Sequence, residues 1–334
     1  MPPFARPPPS TQYAQLSFPS THVLLVTLNR PRDLNCINSQ GHAELHDVWE
    51  WMDDEPSLRV GILTGKGRAF CAGADLKGIS RLIMNPPSRA SRSESSSSRN
   101  PPFSVSPLLV PMNIVQAKPI ESPEWNNSAQ ASTSKSPMPV SGFGGLSRRK
   151  GRKPIICAIN GLCFGGGTEM IINADLVIAS SLAKMGLPEV KRGVVALAGA
   201  LPRLIRTIGR QRAMEMALTG RAYTAEQAER WGLLNEVVSV GDCVVDGKPD
   251  DEAVSERVVG RAVQIAIEIA ENSPDAVLVT REGVKLGWEG IGAEEATGLL
   301  NETWVRRLYE GENIKEGLKA FVEKRKPNWR DSKL

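Results

Sequence analysis

Residues 153–170, KPIICAINGLCFGGGTEM, constrain this chain most: an apolar run ends in three consecutive glycines, and a carboxylate, Glu169, heads the next apolar segment. Glycine repeats cost backbone entropy and persist where a chain needs positive φ or close approach to bare backbone. PIICAIN (154–160) is apolar without alternation, the pattern of a strand covered on both faces. A strand, a glycine turn and a helix start in that order aim unsatisfied amide N–H groups at one point, a ready site for negative charge. No G-K-[ST] and no G-x-G-x-x-G follows this strand, and GFGGLS (142–147) has no strand before it, so neither common phosphate loop is present. An oxyanion site remains, in which backbone donors hold a thioester carbonyl oxygen as it becomes enolate-like.

The surroundings predict an α/β fold. HVLLVTLN (22–29), RVGILTG (59–65) and DLVIAS (175–180) have strand character. A helix is predicted from Ser39, as N-cap, to Asp54, and another from Thr168 to Asn173. From residue 209 the pattern is helical, with candidates at 209–219, 224–231, 251–271, 274–287, 293–310 and 314–325. Residues 84–147 are Ser-, Pro- and Asn-rich and lack periodicity, which reads as a disordered insertion in a loop, because the strands on either side belong to one sheet.

Several function classes drop out. No run reaches the roughly 18 apolar residues of a membrane span, and the proline-rich start MPPFARPPPSTQ has no apolar leader. The five cysteines form no C-x-x-C pair and lie mostly in apolar runs, as small buried side chains in a reducing compartment do. HAELH (42–46) is not the zinc-peptidase H-E-x-x-H, so His42 and His46 read as one face of a solvated amphipathic helix, and no metal site is predicted. A net charge of +4 demands no polyanionic partner; RRKGRK (148–153) reads as a solvated basic face. The final residues Ser332, Lys333 and Leu334 match the peroxisomal address read by an import receptor at an accessible C-terminus.

AFCAGADLKG (69–78), KPIICAINGLCFGGGTEMIINADLVIAS (153–180) and GLPEVKRGV (186–194), in that order and with NRPRDLN (29–35) near the start, resemble the crotonase superfamily of enoyl-CoA hydratases and isomerases. The resemblance covers about 20–80 and 150–325. It implies a spiral of β-β-α turns over 15–270, interrupted by 84–147, with a helical assembly region at 271–331 and the targeting tripeptide at 332–334. It also implies homo-trimers or hexamers and a coenzyme A thioester as substrate, with no further cofactor.

Carried over by position, the resemblance makes the amides of Ala74 and Gly166 the oxyanion donors. It places Arg32, Ala72, Asp75, Leu76 and Lys77 along the coenzyme A moiety. Glu169 and Glu189 match the carboxylate pair that distinguishes hydratases: adding water across C2=C3 needs a base toward C3 and an acid toward C2. Two close, partly desolvated carboxylates share one proton, so the two roles separate. The alternatives are a double-bond isomerase, which manages with one such group, and an RNA-binding protein of the same fold acting through RRKGRK. One departure concerns substrate: VVALAGALPRL (194–204) replaces a Pro-Gly-Ala-Gly-Gly run at the acyl end, which argues against short straight chains.

Overall fold

The computed structural model describes residues 4–75 and 138–334. Leu76 and Lys77 lie outside them, as does most of the Ser/Pro-rich stretch.

Among the described residues, two sheets hold most of the strands, and a third pairs only Val244–Val245 with Lys248–Pro249. The larger runs β1 (Ala14–Ser20), β2 (Val23–Leu28), β3 (Val60–Gly65), β5 (Ile155–Ile159), β7 (Leu176–Ser180), β10 (Glu236–Val238). It is parallel apart from the β1–β2 hairpin. The smaller runs β4 (Ala69–Cys71), β6 (Leu162–Phe164), β8 (Lys184–Gly186), β9 (Tyr223–Thr224). Each pair β3/β4, β5/β6 and β7/β8 puts one strand in each sheet, which is the expected spiral. Helix α1 (Ser39–Asp54) joins β2 to β3, and α2 (Gly166–Ile172) joins β6 to β7.

The unbroken apolar character of the central strands follows from burial on both faces. On one face of the larger sheet, Ile155, Cys157 and Ile159 join Leu24, Val26, Leu63 and the α1 residues Leu45, Val48, Trp49 and Met52. On the other, Ile156 and Ala158 join Val23, Val60, Ile62 and Ile178 under α6 (Asp251–Ala270). Helix α6 offers Val254, Val258, Ala262, Ala266 and Ala270, a stripe at spacing four that grows smaller along the helix and so admits close packing.

After β8 come α3 (Ala200–Ile208), α4 (Arg210–Thr219) and α5 (Ala225–Arg230), and after α6 come α7 (Pro274–Trp288), α8 (Ala293–Leu300), α9 (Arg306–Glu310) and α10 (Glu312–Val322). The predicted helix 293–310 is α8 and α9 joined by a π-helical turn at Asn301–Val305. The cap of α1 is Asn38 rather than Ser39: its side chain accepts the Gly41 N–H at 2.9 Å.

Three expectations need correction. The insertion does not extend to 147, because residues 141–147 are buried in a turn packed on α1 and α2. Apolar anchors within that stretch, Phe143 and Leu146, outweigh its low-complexity composition. The basic run is not a solvated face: Arg149 is buried and pairs with Asp53 at 2.6 Å, and the buried Lys153 ammonium donates to the carbonyls of Met52 and Glu55. Only Arg148, Lys150 and Arg152 of its cations are exposed. The tail does not stand free either. The Trp329 indole donates to the Glu271 carbonyl, Arg59 pairs with Asp331, Arg152 donates to the Leu334 carbonyl, and Ser332 and Leu334 are half-buried while Lys333 is exposed.

Candidate active site

Two bends, one from each β-β-α turn, meet at the ends of β4 and β6. The first contains Gly73, at φ +101°, and the second Gly165, at φ +56°, conformations that suit glycine. A Cβ on Gly73 would stand 3.1 Å from the Phe164 carbonyl oxygen and 3.4 Å from the Gly166 nitrogen, so the bends touch through bare backbone. The other two glycines of the triplet answer to packing. A Cβ on Gly167 would lie 2.3 Å from the Cys71 carbonyl oxygen, and one on Gly166 would lie 2.4 Å from the Phe143 ring. Thr168 fixes the second bend: its hydroxyl hydrogen-bonds the carbonyls of Cys163 and Gly186, tying α2 to β6 and β8.

The Ala74 and Gly166 amides lie one on each bend. Ile37 donates to the Gly73 carbonyl and accepts from the Asp75 N–H, forming an isolated parallel bridge opposite Ala74. Strand alternation turns the Ala74 N–H away from Ile37. Gly166 is the first residue of α2, so its N–H has no intrahelical acceptor.

Glu169, in the first turn of α2, is buried, and its Oε1 accepts from the Ala198 N–H at 2.9 Å and the Ala200 N–H at 3.4 Å. Burial, and then the charge of Glu189, push its carboxyl up to about 7 against those two stabilising amides. Glu189 begins the 3-10 turn Glu189–Arg192, which is closed by Gly193 in the left-handed region. Its carboxyl is also raised, chiefly by burial. It reaches the second bend: a Cβ on Gly165 would be 3.1 Å from Glu189 Oε1, and its buried Oε2 has no hydrogen-bond partner among the described residues. Two raised carboxyls beside a double bend of bare amides can exchange a proton with a bound molecule while the amides hold a developing oxyanion.

The remaining site residues separate into three groups. Ala72 and Asp75 flank the first bend, and Ala72 N–H donates to the Leu34 carbonyl. Asp75 is held by Arg30 at 3.2 Å, a pairing across 45 residues that no local pattern marks. Arg32 is exposed in the 3-10 turn Pro31–Asp33, and Leu76 and Lys77 lie outside the described residues.

The 141–147 turn supplies parts that composition concealed. Phe143 lies against Gly166, the Gly144 N–H donates to His42 Nδ1 at 3.0 Å, and Trp49 donates to the Gly144 carbonyl. His42 is thus buried rather than solvated, and burial lowers it to about 4, leaving it neutral. His46 Nδ1 hydrogen-bonds the Ser141 hydroxyl. Among the described residues no cluster of His, Cys, Asp or Glu could hold a metal ion.

A family model described as "Enoyl-CoA hydratase/isomerase" matches residues 19–97 and 146–332. The chain belongs to the enoyl-CoA hydratase/isomerase family. Similar curated proteins include the mevalonyl-coenzyme A hydratase of Beauveria bassiana, 44% identical over 99% of each chain, and that of Aspergillus fumigatus, 43% identical over 98% of each. A probable mitochondrial enoyl-CoA hydratase of Dictyostelium discoideum is 30% identical over 91% of this chain and 86% of its own. The crystal structure of an enoyl-CoA hydratase from Bacillus anthracis superposes with a TM-score of 0.71 at 28% identity, covering 96% of this chain and all of that one. Fold and activity class agree: this is a crotonase-fold acyl-CoA hydratase.

Proposed function

We propose that the chain moves water on or off the C2–C3 bond of a branched, hydroxylated acyl-CoA of the mevalonyl type. The paired glutamates would act as acid and base, and the amides of Ala74 and Gly166 as the oxyanion donors. The observation that carries the chemistry is the pair of raised carboxyls beside the second bend, Glu169 at about 7 and Glu189 with a buried oxygen that has no partner among the described residues. In the dehydration direction, one carboxylate takes the C2 proton while the thioester oxygen gains negative charge under the two amides, each worth about 3 kcal/mol. The other carboxyl, still protonated, gives its proton to the departing C3 hydroxyl. Hydration is the reverse. With its acidity supplied by the thioester and its donors by the backbone, the step requires no cofactor.

The substrate assignment rests on the gradient of similarity, 44% and 43% to two mevalonyl-coenzyme A hydratases against 30% to the Dictyostelium enoyl-CoA hydratase. The VVALAGALPRL segment, whose departure from the family run argues against short straight chains, adjoins the reacting centre through the Ala198 and Ala200 amides on Glu169. Coenzyme A would run past Ala72, Asp75 and Arg32, and by sequence position alone Leu76 and Lys77 are assigned to it as well. Exposed Val194, Val195, Leu197 and Leu218 near the site, with Leu318, Phe321 and Val322 on α10, support assembly into homo-trimers or hexamers. Import into the peroxisome through Ser332, Lys333 and Leu334 would require the tail to leave its contacts with Arg59, Arg152 and Glu271, and this branched substrate favours specialised metabolism over β-oxidation.

The deciding experiment compares mevalonyl-CoA, its dehydrated product and crotonyl-CoA by enoyl-thioester absorbance. A preference in kcat/KM of at least about tenfold for the branched pair is expected, the scale set by one or two methylenes in a shaped pocket. Equal or better turnover of crotonyl-CoA overturns the substrate assignment. Double-bond migration without water transfer would favour the isomerase reading.

A further inference from the structure

We propose that Ser147 is a positioning residue of this active site, one hydroxyl that sets both the amide grip on Glu169 and the wall behind Gly166. Ser147 is fully buried at the end of the 141–147 turn, and its Oγ makes two hydrogen bonds there. It accepts the Phe143 N–H at 2.8 Å and donates to the Ala198 carbonyl at 2.7 Å. The Ala198 carbonyl belongs to the peptide linking Ala198 to Gly199. On its two sides lie the N–H groups of Ala198 and Ala200, both of which donate to Glu169 Oε1. Gly199, at φ +105°, is the one soft joint between those donors, so a peptide held by Ser147 holds both amides in aim.

The second bond works on the other half of the site. Phe143 stands where a Gly166 side chain would be, 2.4 Å from the position of its Cβ, so anchoring the Phe143 backbone fixes the face against which the second bend rests. A hydroxyl is suited to this place because it accepts from one backbone and donates to another; alanine would leave a buried N–H and a buried carbonyl unpaired. Among the described residues, Ser147 is the side chain that hydrogen-bonds the Ala198 carbonyl and the Phe143 N–H.

The test reads the Glu169 carboxyl directly, by carbon NMR titration of the full chain without substrate, with Glu169→Gln identifying the resonance. The charged groups around it are Glu189 from the turn after β8, Arg203 of α3, which donates to the Gly199 carbonyl, and exposed Arg148, whose side chain lies beside Gly199. The amides favour the ionised form, so Ser147→Ala is expected to move the Glu169 titration upward in pH. It should also lower kcat by about tenfold to a hundredfold with KM changed less than about threefold, and Ser147→Thr should restore both.

A Ser147→Ala protein that melts at lower temperature but keeps the wild-type titration and kcat overturns the proposal, since the hydroxyl would then be structural only. If the alanine variant does not fold, Ser147→Cys, which fills the space and weakens both bonds, is judged by the same two readouts. The proposal rests on the hydratase reading for its kinetic arm alone. A wild-type protein inactive on every acyl-CoA would sink that reading, while the substrate-free titration would still decide the role of Ser147.

Discussion

Two clusters of buried charge flank the central strands of this molecule and are built on opposite rules. Behind β5, Asp53 faces Arg149 and Lys153: its carboxylate takes both oxygens to the Arg149 guanidinium, at 2.6 and 2.7 Å, and also accepts the backbone N–H groups of Arg152 and Lys153. Opposite charges meet there, and the carboxylate is filled with donors. At the bends, Glu169 and Glu189 carry like charges, both carboxyls are raised, and one Glu189 oxygen has no partner among the described residues. The first arrangement holds α1 to the strand that delivers the glycine triplet. The second is unfavourable to the folded chain by itself and is completed only by a molecule that takes and returns a proton.

The contrast is broken most forcefully from the structural side. Asp53→Ala leaves a buried guanidinium and a desolvated Lys153, already lowered to about 8, without their counter-ion. A loss of about 3–5 kcal/mol is expected, the range for removing one partner of a buried pair. Urea denaturation measures it, and a shift under about 1 kcal/mol would place this cluster with ordinary surface pairs. From the catalytic side, Glu169→Gln and Glu189→Gln should each reduce hydration by more than about a hundredfold, because each removes one member of an acid/base couple. Stopped-flow or steady-state absorbance on the same enoyl thioester is the check. Near-wild-type rates for Glu189→Gln would return the site to the isomerase reading.

How legible each cluster was in the sequence differs for a physical reason. The glycine triplet, Glu169 and the strand–bend–helix succession could be read because each is local: a strand, a bend and a helix start within twenty residues impose their chemistry wherever the chain goes, while Glu189 stood out through the family resemblance. Asp53 with Arg149 was not legible, since the partners stand far apart in sequence and RRKGRK looks like any exposed basic run. The 141–147 turn was hidden in the same way. Gly142, Gly144 and Gly145 read as low complexity, and only the packing of Phe143 on Gly166 and of Gly144 on His42 shows what they are for. Helix α3 escaped because Pro202 interrupts its pattern, yet Pro202 falls in the first turn, where its missing N–H is not needed. The bond of Ala198 and Ala200 to Glu169 uses backbone alone, and no side-chain pattern announces it.

The site's cost should appear in the pH dependence of stability. Glu169 has an ordinary value of 4.5 in the unfolded chain and about 7 when folded. A raised carboxyl favours the folded state fully below the unfolded value, and that stability is lost as pH rises toward and through the folded one. Glu169→Gln should therefore match the wild type below about pH 4 and gain on it across the window from 4.5 to about 7. The gain should reach on the order of 3 kcal/mol above that window. Denaturation midpoints at several pH values give the curve, and a pH-independent difference would mean that Glu169 ionises in the fold as easily as in water.

The smallest effect is the most specific, because it separates burial from repulsion. Burial is the larger cause of the raised Glu169 carboxyl and the charge of Glu189 the second. Glu189→Gln should then lower the Glu169 titration while leaving it above the ordinary carboxylate range, a shift that carbon NMR resolves. A full return to that range would make repulsion the main cause and the pocket effectively wet. No movement at all would mean that the two carboxyls do not sense one another. The like-charge half of the comparison would then fail, because a pair that shares no field shares no proton.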